Sequence, residues 1–279
     1  MSRRLDGGDQ RAEAPAPPAP ERESADTVLT ARDGAVLTIT LNRPDKLNAF
    51  DASVHAGLRA ALEEAAAPEV RAVVITGAGR GFCVGQDLGE FSQVGDIAAA
   101  LRERYHPNIR AIRGLEKPVL AAVNGVAAGA GLSLACACDV RIASEAATFV
   151  PGFIGIGLVP DAGGAYFLQR LLGTPRAFEL MASGRRLAAA EALEWGLVSE
   201  VVEAERFAER VAEVAREWAA RPTRGVALTK QLFDTAERAS LEETLELEAE
   251  LQAAATQTED FAEGVAAFLE KRDAQFRGR

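Results

Sequence analysis

The stretch KPVLAAVNGVAAGAGLSLACACD, Lys117 to Asp139, decides the architecture. Lys117–Pro118 end one element, since a proline disfavours helix in the residue before it and has no N–H to donate. Val119 to Val123 is an apolar run of strand length, and Asn124–Gly125 turns the chain. Gly129, Ala130 and Gly131 then open a run of small apolar residues of helix length that closes at Asp139. Read as strand, glycine-rich turn and buried helix, the segment leaves N–H groups unpaired at a helix start with almost no side chain above them. Donors and helix dipole point outward there, which suits a developing negative charge.

Other readings of the same residues fare less well. Between Val119 and Cys138 only Asn124 and Ser133 are strongly polar, so the length permits a membrane span, and Gly125-x-x-x-Gly129 has the form of a helix-packing motif. Three glycines in mid-run, alanine in place of leucine and no second span argue against it. The dinucleotide fingerprint and the P-loop are both absent. Gly131-Leu-Ser-Leu-Ala135 lacks the second glycine of a nucleophile elbow. A packed strand–turn–helix with no chemistry is the remaining alternative.

Composition narrows the classes. A chain of 279 residues with 48% hydrophobic content can bury a large core. Its net charge of −10 argues against a nucleic-acid partner, which needs a basic face. Cys83, Cys136 and Cys138 are too few for a disulfide framework, so a reducing, cytoplasmic setting is expected. Cys136 and Cys138 read as core fillers, and with His55 and His106 alone no zinc spacing exists, so no metal is expected. Both histidines read as packing or surface residues.

Residues 1–26, with APAPPAPE at Ala14–Glu21, read as a disordered tail; no apolar run follows Arg3–Arg4, so these residues are not expected to act as a Sec or twin-arginine signal. Val28 to Leu41 alternates like a hairpin around Asp33–Gly34, and a helix capped at Asp51 or Ser53 runs to about Ala67. Val70 to Thr76 is a β-branched run suited to a strand buried on both faces. Four glycines within Gly77–Gly85 imply a backbone that turns tightly or comes close to a ligand. Asp96–Leu115 is helical. Ala147–Gly164 is a glycine-rich segment with one carboxylate, Asp161, among apolar residues. Asp161 alone would read as a helix N-cap, and Phe149, Phe153, Ile154 and Ile156 would form an apolar wall that raises its pKa. Helices dominate from about Ala204, with a break near Arg238–Ser240. The pattern predicts an α/β core over 27–220 and a helical C-terminal region over 221–279.

Four ordered motifs carry a resemblance: Asn42-Arg-Pro…Leu47-Asn-Ala, Gly81-Phe-Cys-Val-Gly-Gln-Asp-Leu88, Val123-Asn-Gly-Val-Ala-Ala-Gly-Ala-Gly131 and Gly157-Leu-Val-Pro-Asp-Ala-Gly-Gly164. With the terminal Phe268-Leu-Glu-Lys-Arg…Gln-Phe276 they resemble the crotonase (enoyl-CoA hydratase/isomerase) superfamily, over about Thr27 to Gly278. The resemblance implies a spiral of ββα units, a homotrimer or dimer of trimers joined through the C-terminal helices, and an acyl-CoA thioester substrate with no separate cofactor. It places an oxyanion hole at the backbone N–H groups of Cys83 and Ala130. It places coenzyme A and acyl contacts at Lys46, Leu47, Ala49, Val84, Gly85, Gln86, Asp87, Leu88 and Phe153, with Lys271 reaching phosphate from a neighbouring subunit.

The two water-activating glutamates of the family's hydratases fall on Ser133 and Phe153, neither of which can move a proton near neutral pH. Asp161 falls where isomerases of the superfamily, and its 4-chlorobenzoyl-CoA dehalogenases, carry an aspartate. The motifs look most like those of the ring-1,2-epoxyphenylacetyl-CoA isomerases of phenylacetate degradation. The expectation is therefore an acyl-CoA isomerase, by proton shuttling at an oxyanion-stabilised thioester, acting on 1,2-epoxyphenylacetyl-CoA or between Δ3- and Δ2-enoyl-CoA. A hydratase of other acyl specificity and a catalytically silent CoA-binding scaffold are the alternatives.

Overall fold

A computed structural model describes residues 26–87, 89 and 95–279, so the tail expected over 1–26 lies outside it but for Asp26. The hairpin forms where the alternation places it: β1 (Val28–Asp33) pairs antiparallel with β2 (Val36–Leu41), Asp33 opposite Val36, with Gly34 at φ +57° in the turn. β2 continues in parallel to β3 (Ala72–Gly77), β5 (Val119–Val123), β7 (Val140–Ser144) and β10 (Glu200–Val202), giving a six-stranded sheet in the order β1-β2-β3-β5-β7-β10. A four-stranded sheet holds β4 (Gly81–Cys83), β6 (Val126–Ala128), β8 (Thr148–Val150) and β9 (Leu187–Ala188) in that order.

The two sheets are built together. Each of β3, β5 and β7 leaves the large sheet, turns a corner of two or three residues, and enters the small sheet as β4, β6 or β8 before a helix follows. This repeat of strand, strand and helix is the spiral of ββα units that the motifs imply. The corners demand close backbone approach: a Cβ on Gly125 would lie 2.1 Å from the Arg80 carbonyl oxygen. β6 and β8 correct the sequence reading, which left them inside a turn and a loop. Three residues such as Val126-Ala-Ala128 are too short and too poor in β-branched side chains to announce a strand.

The large sheet is covered on both faces, which explains the near-continuous apolar runs of β3 and β5. One face carries Leu37, Ile39, Val73, Ile75 and Ala121 against α1 (Ala52–Ala65), which Asp51 caps by accepting the Val54 N–H at 2.8 Å. The other face, Val36, Ala72, Val74, Leu120 and Ile142, is closed by Val211, Val214 and Ala215 of α8 (Phe207–Ala219). Between them lie α2 (Ile97–Ala100), α3 (His106–Gly114), α4 (Ala130–Ala137), α5 (Gly164–Leu172), α6 (Thr174–Ser183) and α7 (Ala189–Glu194).

Beyond α8 the chain is helical: α9 (Thr223–Ala236), α10 (Leu241–Ala255) and α11 (Glu259–Glu270). The long helical pattern breaks where expected, because Ser240 forms a capping box with Glu243. Phe233, Leu241, Leu245, Phe268 and Leu269 remain exposed on these helices, Phe268 to 83%.

Asp139, at the end of the deciding stretch, locks this region to the core. Its Oδ1 accepts from Arg113 at 2.7 Å, and its Oδ2 from Lys230 Nζ of α9 and from the Val119 N–H of β5, both at 2.9 Å. Replacing Asp139 by Ala leaves a buried ammonium and a guanidinium without their shared partner. Urea unfolding is expected to show a loss of about 3 kcal/mol, the usual scale for stranding a buried charge, with α9 opening first in hydrogen exchange.

Candidate active site

Two loops of the small sheet meet at the start of α4. Gly129 has φ +51° and ψ −125°, a conformation that a side chain forbids, and it turns the chain into α4. Ala130 is the first helical residue, so its N–H has no intrahelical acceptor. Gly131 packs on Cys83 so tightly that a Cβ would sit 2.1 Å from the Cys83 carbonyl oxygen. A Cβ on Gly85 (φ +83°) would lie 3.0 Å from the Ala128 carbonyl oxygen and 3.1 Å from the Ala130 nitrogen. The backbones of Cys83 and Ala130 are thus pressed together, Cys83 at an irregularity in the β4–β6 ladder. The Cys83 thiol is buried and pushed up to about 12 by burial, so it stays a neutral space-filler.

A second strip of backbone holds this loop from below. The Phe50 N–H donates to Gly85 O at 2.7 Å, Asp87 N–H to Phe50 O at 2.8 Å, and Val84 N–H to Leu47 O at 3.2 Å. Lys46 ends a 3-10 turn, and Leu47 and Asn48 follow at φ +49° and +59°, an unusual pair for residues with a Cβ. Buried Asn48 holds them there: Oδ1 accepts from Arg43 N–H at 2.8 Å, and Nδ2 donates to Ala78 O and Gly81 O at 2.9 and 2.8 Å. Arg43 bridges Asp51 and Asp87 at 3.0 and 3.1 Å. Lys46, Leu47, Ala49, Val84, Gly85, Gln86 and Asp87 therefore form one strip beside Cys83, Lys46 exposed and Ala49 and Gly85 buried. Leu88 lies outside the described residues.

Asp161 approaches from the loop before α5. It is not the cap of that helix, which corrects the cap reading: Gly163 takes the cap position, and the Asp161 carbonyl, not its carboxyl, accepts the Gly164 N–H at 2.7 Å. The carboxylate is left with a buried Oδ1 that has no partner. Burial pushes its pKa from 3.8 to about 6. Phe149 and Phe153 are buried nearby in the chain as expected, but Ile154 and Ile156 are 46% and 55% exposed and do not complete an apolar wall. Ser133 is buried with its Oγ against Gly164, where a Cβ would meet it at 2.5 Å; Phe153 lies beside Gly129. Lys271 caps α11 in the left-handed conformation, exposed, and shares no hydrogen bond with the site loops among the described residues.

A third group centres on His55, which reads from the sequence as a packing or surface residue and which the structure packs, with partners the sequence does not single out. His55 of α1 is 6% exposed, stacks on Phe50 at 4.8 Å and meets the edge of Tyr105 at 4.2 Å. Asn108 Nδ2 lies 3.4 Å from its Nδ1, and its Nε2 is buried without a partner. Together with Tyr105, Asn108 and Phe50 it lines a cavity of about 10 Å³ that also touches Ala130 and Ala162. A far larger cavity, about 1330 Å³, lies away from these residues, between α5 and the C-terminal helices at Tyr166, Phe233 and Leu245. Among the described residues, no three His, Cys, Asp or Glu side chains gather as a metal site.

Ala130 at the start of α4 and Ala162, next in the chain to Asp161 with its buried Oδ1, line the same small cavity. The Enoyl-CoA hydratase/isomerase family profile matches residues 31–279. The chain is 42% identical to the 1,2-epoxyphenylacetyl-CoA isomerase of Escherichia coli over 90% of its length and 98% of the relative's. It is 45% identical to a probable enoyl-CoA hydratase of Rhodobacter capsulatus over 86% and 94%. The crystal structure of an enoyl-CoA hydratase from Bacillus anthracis superimposes with a TM-score of 0.86 at 32% identity, covering 91% of this chain and all of that one. The chain belongs to the enoyl-CoA hydratase/isomerase family, the crotonases, and has their fold.

The buried histidine makes a test of the site's packing. Burial, then Arg104, hold His55 down from 6.5 to about 4, with Arg59 acting the same way and Asp51 against. The folded form keeps it neutral while the unfolded chain protonates it below 6.5. Its share of stability is therefore whole above that pH and lost as the pH falls toward 4. The loss amounts to about 3 kcal/mol, at 1.36 kcal/mol for each unit of displacement. The difference in urea stability between pH 7 and pH 4.5 should shrink by about that amount in His55→Phe; an unchanged difference would show that the ring is not shielded as described.

Proposed function

We propose that this protein is an acyl-CoA isomerase that moves a proton between two carbons of a thioester-activated acyl chain. The observation that carries the reading is Asp161: a single carboxyl with a buried, unpartnered oxygen and a pKa displaced to about 6, next in the chain to Ala162, which lines the same small cavity as Ala130. Asp161 takes a proton from C2 of a 3-enoyl-CoA. The C–H electron pair moves into the carbonyl, and the enolate oxygen accepts from the N–H groups of Cys83 and Ala130. The protonated Asp161 then returns the proton at C4, giving the 2-enoyl-CoA with no gain of water. A carboxyl near pKa 6 suits both steps, since it can accept and release a proton at neutral pH.

Lys46, Leu47, Ala49, Val84 and the Gly85–Leu88 loop are read as the coenzyme A contacts, Phe153 as a wall of the acyl pocket, and Lys271 as a phosphate contact from a neighbouring copy. Residues 27–220 make the catalytic core, and 221–279 serve assembly as a homotrimer or dimer of trimers. Exposed Phe233, Leu245 and Phe268 on the C-terminal helices support that assembly. The 42% likeness to a 1,2-epoxyphenylacetyl-CoA isomerase supports an aryl epoxide thioester as a further substrate. Hydration by two carboxylates, the alternative that the hydratase-named relatives raise, has Ser133 and Phe153 where its acids would stand.

Mass analysis of 3-enoyl-CoA and, separately, 2-enoyl-CoA after incubation with the protein tests the reading. A Δ3-to-Δ2 shift without water uptake is expected, with kcat/KM falling as the pH drops through about 6. Efficient water addition to 2-enoyl-CoA would refute it.

Asp161→Asn separates function from stability. Activity should fall at least 10³-fold. Ionised Asp161 at pH 7 costs stability, because its folded pKa is raised and the favourable protonated form is lost as the pH rises from 3.8 through 6. The Asn variant should therefore be more stable at pH 7, by about 2 kcal/mol after allowance for partial exposure. Activity surviving in Asp161→Asn would remove the shuttle.

A further inference from the structure

We propose that Tyr105 is a positioning residue of this site, which sets the Cys83 N–H donor through Gln86. Tyr105 is the only buried residue of a π-helical turn, Leu101–Tyr105, set between α2 and α3. Such a turn adds a residue to the helix and redirects the side chains after it, and it occurs disproportionately at functional sites. Here it delivers a phenol, 7% exposed, to the inside of the site. The ring is held edge-on by His55 at 4.2 Å and by Phe50 at 5.7 Å, with the small cavity at Ala130 and Ala162 beside it.

The hydroxyl donates a hydrogen bond to Gln86 Oε1. Gln86 sits three residues after Cys83, between the two backbone bonds that tie the loop to Phe50, Phe50 N–H to Gly85 O and Asp87 N–H to Phe50 O. Its own backbone forms the bridge to Phe50. Those backbone bonds hold the loop along its length, and the Tyr105–Gln86 bond holds its side-chain face. One phenol therefore links the helix behind the site to the loop that carries one oxyanion donor.

The phenol also faces the proton shuttle. Burial, then the neighbouring Asp161 carboxylate and Cys83, push its ionisation up, so it stays a neutral donor to Gln86 throughout the working range. A phenylalanine would keep the ring contacts and remove only the link. Misplacing one oxyanion donor costs rate rather than ground-state affinity, because the bond strengthens as charge develops on the carbonyl.

The catalytic consequence rests on the isomerase reading above, so the test has a second arm that needs no turnover. A cinnamoyl thioester of coenzyme A absorbs further to the red as hydrogen bonds polarise its conjugated carbonyl. Saturating probe should show that red shift with the wild-type protein, and half of it or less with Tyr105→Phe, at a Kd within threefold. In the 3-enoyl-CoA assay Tyr105→Phe should lower kcat about 10- to 100-fold with KM within threefold, and Gln86→Leu should lower kcat by a similar factor. The double variant should be no worse than either single one. A full red shift in Tyr105→Phe, or losses that multiply in the double variant, overturns the proposal. Should Tyr105→Phe fail to fold, Gln86→Leu carries the same comparison from the other end of the bond. Should Asp161→Asn retain isomerase activity, the shuttle falls, while the red shift still decides Tyr105.

Discussion

Two main chains meet in the site without a side chain between them: Gly131, in the first turn of α4, lies against the Cys83 carbonyl with no room for even a methyl group. That approach seats the start of a helix on the end of a strand from the neighbouring unit, and so presses the backbones of Cys83 and Ala130 together. Backbone donors have no rotamers to lose, and their dipoles stand in place before any charge develops. The cost is conformational, and glycines meet it: Gly129 with a backbone angle closed to other residues, Gly131 and Gly85 where a side chain would collide. The low bulk of the Val119–Cys138 stretch follows from the same need.

Around this frame the electrostatics are simple. Cys83, Tyr105 and His55 are all neutral at working pH, each because burial opposes its charged form. Asp161 is displaced by the same effect, but only as far as about 6, which leaves it free to gain or lose a proton. The charged pairs stand outside this dry zone. Arg43 spans Asp51 and Asp87 at the edge of the loop, and Asp139 gathers Arg113 and Lys230 just past the C-terminal end of α4. Charge is used to pin the loops and the C-terminal helices, and kept away from the place where a proton would move.

The repeat of strand, strand and helix puts functional residues on loops while their supports lie in regular structure. Asn48 is one such support. Its side chain satisfies three backbone groups and so sustains two consecutive left-handed residues, Leu47 and Asn48, which hand the loop at Val84–Asp87 its partner strand. The C-terminal residues also return to the core: buried Asp260 accepts the N–H groups of Arg277 and Gly278, and Arg71 donates to Phe276 O.

What the sequence alone determined was whatever rests on local order. Turn chemistry at Asp33–Gly34, the cap at Asp51, the break before Ser240 and the glycine density at 77–85 and 129–131 each act within a few residues, so the hairpin, the helices and the two donor loops were legible. The ordered motifs pointed to Asp161, Cys83 and Ala130 as candidates as well. Strands β6 and β8 were not legible, because three-residue strands exist only through neighbours far along the chain. Asp161 looked locally like a helix cap, and only the observed start of α5 at Gly164 showed that its carboxyl does not cap the helix and leaves Oδ1 without a partner. Tyr105 and Asn108 carried no local signal at all, and for His55 a packing role was legible but not its partners. A tyrosine after a run of charged residues looks like surface until a π-helical turn and two distant aromatic rings bury it, and burial by distant neighbours is what a tertiary structure alone decides.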